Sequence, residues 1–134
     1  MIDPSEFASN VWSQIEGPLT RAVTEAAAFD KQLMFHVGQS TNAAFPMRAY
    51  ATLRKAPNLR EFAITVDLDH RDGALRLSAD ACFDDGELIA EGPSLSMVDI
   101  DAAEVEHLLD SWLVELREFL ASVGLRMAEV LPKL

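Results

Sequence analysis

The chain has 134 residues, a hydrophobic share of 49% and 22 acidic side chains against 11 basic ones, for a net charge of −11. That length makes one domain able to bury about two thirds of its unfolded surface. So acidic a surface argues against DNA, RNA and anionic membranes as partners, since all three favour basic proteins.

No apolar run approaches the ~20 residues that span a bilayer. A single cysteine rules out an internal disulfide, and the opening Met-Ile-Asp-Pro-Ser-Glu lacks the positive stretch of a signal peptide. A reducing, cytoplasmic setting is the expectation.

In chain order, Asp3-Pro4-Ser5-Glu6 has the form of a helix start, with Asp as N-cap, Pro in the first turn and Glu closing a capping box. Phe7, Ala8, Val11, Trp12 and Ile15 follow at helical spacing, and Leu19, Ala22, Val23 and Ala26 continue the stripe. Gly17-Pro18 interrupts it, which predicts one kinked helix or two short ones over 4–30. Residues 32–37 read as an edge or first strand, and 39–42 as a loop.

The stretch 44–56 reads two ways. Met47, Ala49, Ala51 and Leu53 alternate with Arg48, Tyr50, Thr52 and Arg54, as in a strand. The same residue types are good helix formers, and Pro46 fits a helix start. Ala56-Pro57-Asn58 then turns the chain.

Residues 59–98 carry the clearest signal. Phe62, Ile64, Val66 and Leu68 alternate with Ala63, Thr65, Asp67 and Asp69, and after Asp72-Gly73 the run Leu75, Leu77, Ala79, Ala81, Phe83 alternates again. Asp84-Asp85-Gly86-Glu87 leads to a third run over 88–98, where Gly92-Pro93 marks an edge strand or a bulge. This is an antiparallel β-meander with one buried face.

Asp101 and Glu104 make a capping-box pair, and Ile100 with Val105 a hydrophobic staple. Val105, Leu108, Leu109, Trp112, Leu116, Phe119, Leu120 and Val123 form a broad helical stripe widened by Leu113 and Val114. Gly124 is placed to end the helix, with a further short turn stopped by Pro132. The expected fold is therefore α+β: a meander covered by an N-terminal helix and a long C-terminal amphipathic helix.

Candidate chemistry is sparse. Cys82 has no histidine near it in sequence and reads as structural. His36, His70 and His107 fall on different predicted elements. Glu104-x-x-His107 has the spacing of a di-iron helix, but the second copy such a site needs is missing. Asp69, His70 and Asp72 form a solvated hairpin tip. The tip 84–87 lacks the twelve-residue calcium pattern. The chain has no phosphate-binding Gly-rich motif, no nucleophile elbow and no Cys-x-x-Cys. The sequence implies no catalytic residue, no metal site and no cofactor, and Trp12 and Trp112 sit on apolar stripes as core residues.

One constellation remains. Residues 48–60 hold four bases and no acid, whereas 61–134 hold 17 acids and five bases. Arg48, Tyr50, Arg54 and Lys55 form this basic island, and Arg and Tyr are enriched at protein interfaces. The plainer reading pairs these bases with the chain's own acids.

The order of a helix over 4–30, strands over 59–98 and a long helix over 101–123 resembles the type III secretion chaperones and the related YbjN-like domains. That resemblance implies a small, often homodimeric α+β protein that holds a partner segment rather than catalyses. The secretion chaperones place a helix between two groups of strands, and here only 44–56 is available to supply one, ahead of the meander.

The expected function is thus a non-enzymatic protein-binding domain, chaperone-like or an immunity- or antitoxin-like acidic partner of a basic protein. A small-ligand or helix-grip domain, with a pocket between sheet and C-terminal helix, is the alternative. The width of the C-terminal stripe predicts a homodimer through 105–120, with Leu109, Trp112, Leu113 and Leu116 at the interface.

Overall fold

The computed structural model of the chain describes residues 2–55, 59–98 and 101–134. Its architecture follows from the alternation in the middle of the sequence. Strands β3 (Phe62–Arg71) and β4 (Ala74–Phe83) pair antiparallel from Phe62 opposite Phe83 to Arg71 opposite Ala74. Asp72 and Gly73 join them with φ of 52° and 74°, the two positive values that a type I′ hairpin turn requires. The next link, Asp84-Asp85-Gly86, closes with the Gly86 amide donating to the Phe83 carbonyl at 2.9 Å and Gly86 at φ 92°. β5 (Leu88–Met97) then returns along β4.

β5 is irregular where the sequence breaks its pattern. The β4–β5 register slips between Ser78 and Asp80 and again between Ala81 and Cys82. Gly92 lies at this slip, pressed so close to β4 that a Cβ would sit 2.8 Å from the Ala79 carbonyl oxygen. Pro93 has no ladder donor, but its carbonyl accepts the Trp112 Nε1 hydrogen at 3.1 Å. The bulged edge thereby ties the sheet to the C-terminal helix.

The stretch that reads two ways is strand β2 (Met47–Arg54), paired between β1 (Met34–Ser40) and β3. Met47, Ala49, Ala51 and Leu53 are buried in line with the β3 row, and this tertiary burial outweighs their helix propensity. The turn expected at 56–58 lies outside the described residues. Asn42 shapes the β1–β2 loop by accepting from the Ala44 and Phe45 amides, and the Ala44 carbonyl takes the His70 amide at 3.0 Å. The sheet order is β1-β2-β3-β4-β5, antiparallel throughout, so β1 and β5 are its edges.

Helix α1 (Pro4–Ala27) starts at Asp3, whose carboxylate accepts the Ser5 amide at 2.9 Å. It continues through Pro18 as a single helix, so of the two alternatives expected there the two short helices are not formed. Ile15 and Leu19, both fully buried, hold the helix to the sheet on either side of the proline. The Gln14 carbonyl that the proline frees belongs to an exposed residue, where water can satisfy it.

Helix α2 (Ala102–Leu125) begins at Asp101, which accepts the Glu104 amide at 2.9 Å. The Ile100 half of the staple lies outside the described residues. Gly124 lies inside the helix, which ends at Arg126 instead. A short helix α3 (Met127–Val130) and a 3₁₀ turn (Leu131–Lys133) then close the chain.

Both helices pack on the same face, α1 over β1, β2 and β3, and α2 beside α1 over β5. This corrects the expected dimer interface. Leu109, Trp112, Leu113 and Leu116 are at most 4% exposed within one protomer, and only Val114 of the widened stripe is open. The stripe is wide because it meets α1 as well as the sheet. A second copy could not reach those four side chains without displacing the chain's own cover.

Leu77, fully buried on the inner face of β4, tests this assignment of faces. Leu77→Asp places an unpaired carboxylate in the core, at several kcal/mol against a total stability of about 5–15 kcal/mol. Thermal unfolding is expected to lose its cooperative transition. Val114→Asp, by contrast, is expected to stay within about 0.5 kcal/mol of the parent chain.

Candidate functional site

With both helices on one face, the opposite face of the sheet is left to solvent. Register places Arg48, Tyr50, Thr52 and Arg54 of β2 on this outer face, between Ser40, Gly38, His36 and Met34 of β1 and, along β3, Asp67, Thr65 and Ala63. At the β1 side these residues form an open depression of about 620 Å³. It is lined by Met34, Phe35, His36, Tyr50, Thr52, Arg54, Glu61 and Ala63.

Gly38 shapes its floor. A Cβ at that position would lie 2.8 Å from the Tyr50 hydroxyl, so the missing side chain is what lets the Tyr50 ring lie across β1. The ring then meets His36, with centroids 5.3 Å apart and planes tilted by 50°. Thr52 donates to the His36 carbonyl at 3.4 Å.

The basic island divides in two. Arg48 pairs with Asp67 at 3.4 Å and lies 4.2 Å above the Phe45 ring, and Lys55 pairs with Asp30 at 3.1 Å. These two bases are taken up by the chain's own groups. Tyr50 and Arg54 line the depression, and no carboxylate among the described residues forms an ion pair with Arg54.

The centre of the outer face is partly desolvated. Burial pushes the Asp67 carboxyl up in pKa despite its arginine partner, and Asp80 accepts the Thr65 hydroxyl at 2.6 Å. Sequence reasoning reached Tyr50 and Arg54 but missed His36, Glu61 and the clearance at Gly38. The signal lay in the β1–β2 register, which a period-two pattern does not supply.

The other candidates stay apart. His36, His70 and His107 sit on β1, β3 and α2, and no group of three metal-ligating side chains gathers among the described residues. Asp69 is paired with Arg71 at 3.1 Å. The acidic tip is structural: Asp85, at 2.8 Å, and Glu87 hold the Arg60 guanidinium, Lys133 joins Glu87 at 3.2 Å, and Arg60 lies 3.8 Å over the Phe83 ring. Where a helix-grip pocket would open, between sheet and α2, Trp112 and Leu116 are packed into the core. Among the described residues no helix is long and apolar enough to cross a membrane. Compared with known proteins, the chain matches no family model, no curated protein and no solved structure.

Two measurements check these electrostatics. Cys82 shares the outer face with Ala63, and burial, followed by the nearby Asp80, Asp84 and Asp85, raises its thiol pKa. Its alkylation is therefore expected to be slower than that of free cysteine at pH 8, with a rate midpoint at higher pH.

The Arg60 hydrogen bonds lower the pKa of both Asp85 and Glu87, with Lys133 adding to the effect on Glu87. A carboxylate with a lowered folded-state pKa contributes stability above its unfolded pKa and loses it as pH falls through the folded value. Unfolding midpoints followed downward from pH 5 should drop more steeply in the parent chain than in Arg60→Ala. Equal slopes would show that the cluster is not linked to folding.

Proposed function

We propose that the chain is a non-enzymatic protein-binding domain that receives a segment of a basic partner on its helix-free sheet face. The observation that carries this reading is the open depression on that face, where Tyr50 and Arg54 stand with Glu61 beside apolar surface from Met34. An arginine fork donates to carbonyl or carboxylate oxygens, and a tyrosine ring offers large contact area at low entropic cost. Glu61 would take a base from the incoming segment. The net charge of −11 would draw a basic partner at longer range and disfavour acidic ones. This fits a chaperone-like or an immunity-like role, because both hold a partner without transforming it.

The test begins with a photo-crosslinking residue in place of Thr52, used in the native host, with the same residue in place of Asp110 on α2 as control. A partner captured from position 52 and not from 110 is then purified. Tyr50→Ala and Arg54→Glu should each weaken its binding about tenfold, or about 1.4 kcal/mol, with the unfolding midpoint unchanged. Binding by the parent chain should also weaken from low to physiological salt, as screening shortens to about 8 Å. A partner captured only through 110, or bound unaltered by both variants, would overturn the sheet-face reading.

A further inference from the structure

The two edges of the sheet differ. β5 carries the Gly92-Pro93 bulge, the slipped register and Glu91, devices that keep an edge from pairing with another chain. β1 has none of them. Met34–Ser40 is regular along its whole pairing with β2, contains no proline, and is exposed at five of its seven positions. It is also the one strand of the five with no Asp, Glu, Lys or Arg. Its outward backbone groups form an open ladder in a chain whose other edge is guarded.

We propose that β1 pairs antiparallel with β1 of a second copy, joining two protomers into one continuous ten-stranded sheet. The charge distribution selects this occupant. Two molecules of net charge −11 repel wherever their acidic surfaces approach, and β1 is the strand along which they meet without an ionised side chain.

The side chains are self-complementary about a two-fold axis at Val37. Phe35, which register places on the inner-face side opposite Leu53 yet leaves 49% exposed, falls opposite the partner copy's Gln39. Beside Gln39 is a groove of about 190 Å³ between α1 and β1, lined by Ala8, Trp12 and Pro46 among others, which gives the ring an apolar seat. On the outer face His36 falls opposite Gly38, the position with no side chain to oppose it. Val37 pairs with itself, a β-branched pair suited to a ladder. Edge pairing leaves Tyr50, Thr52, Arg54 and Glu61 open on the outer face, so the dimer shares with the proposed partner site only residues of β1 itself.

The test is sedimentation of the purified chain over micromolar to submillimolar concentrations. A dimer is expected, and its dissociation constant should fall as salt rises, because screening relieves the repulsion between copies. That direction is opposite to the one expected for a basic partner. Val37→Lys, at a half-buried edge position that touches the core, should give a monomer, and its unfolding midpoint is measured alongside to show that the chain still folds.

Val37→Cys in a Cys82→Ser background reads the register directly, since directly opposed antiparallel residues lie about 4.5–5.5 Å apart, within disulfide reach. Mild oxidation should give a covalent dimer, whereas Ser94→Cys on β5 in the same background should not. A parent chain that stays monomeric throughout overturns the proposal. So does a dimer that survives Val37→Lys, or a Val37→Cys chain that does not cross-link. If Val37→Lys fails to fold, the cross-linking result decides alone.

Discussion

The structure depends on a sheet that is apolar on one side only. Phe62, Ile64, Val66 and Leu68 on β3, with Leu77 and Ala81 on β4, are sealed from solvent, while Ala63, Thr65, Asp67 and Asp69 between them are not. Period-two alternation leaves no freedom here, because shifting the register by one residue would carry the whole apolar row to the solvent side. Burying a large aliphatic side chain is worth about 1.5–3 kcal/mol. The inner row therefore fixes where both helices must lie: on the same face, side by side. The open outer face and the free edges are consequences of that placement.

The same constraint accounts for the width of the apolar stripe on α2. Taken against a sheet face alone, Leu113 is surplus and points to a second molecule. In the fold, α2 must also close against α1, which sits over the β1–β3 half of the sheet while α2 covers the β5 side. A helix lying between a sheet and another helix needs a broad apolar surface, and Leu113 is buried as part of it. Stripe width counts the neighbours of a helix without saying whether they come from the same chain.

The meander over 59–98 was legible because alternation, Asp-Gly turns and the Gly-Pro break all point to one solution. Residues 47–54 were not, because alanine, methionine, leucine and arginine satisfy a helix and a strand equally well. Pairing on both sides, with β1 and β3, decides for the strand. At Pro18 the choice between one helix and two stayed open for a related reason: a local rule about proline carries no information on how firmly Ile15 and Leu19 are packed. Of the candidate site, Tyr50 and Arg54 could be read from their place on a polar strand face. His36 and Glu61 could not, since they meet Tyr50 and Arg54 only through cross-strand register, which the length and shape of the intervening loops determine.

Charge adds a second asymmetry to the first. α2 carries five acids and one base on its solvent side, whereas the outer face of the sheet mixes Arg48, Arg54 and Arg76 with Glu61, Asp67, Asp69 and Asp80. The helical side therefore repels other acidic molecules, including copies of the chain itself. The sheet side can form specific pairs, as Arg48 and Asp67 already do within the protomer. An exposed ion pair contributes only about 0–1 kcal/mol. Charge alone thus steers a partner without holding it, and tight association must come from surface that can be desolvated. On this molecule, apolar surface and a guanidinium with no ion-pair partner among the described residues lie together around Met34, Tyr50 and Arg54, at the side of the sheet that the helices leave bare.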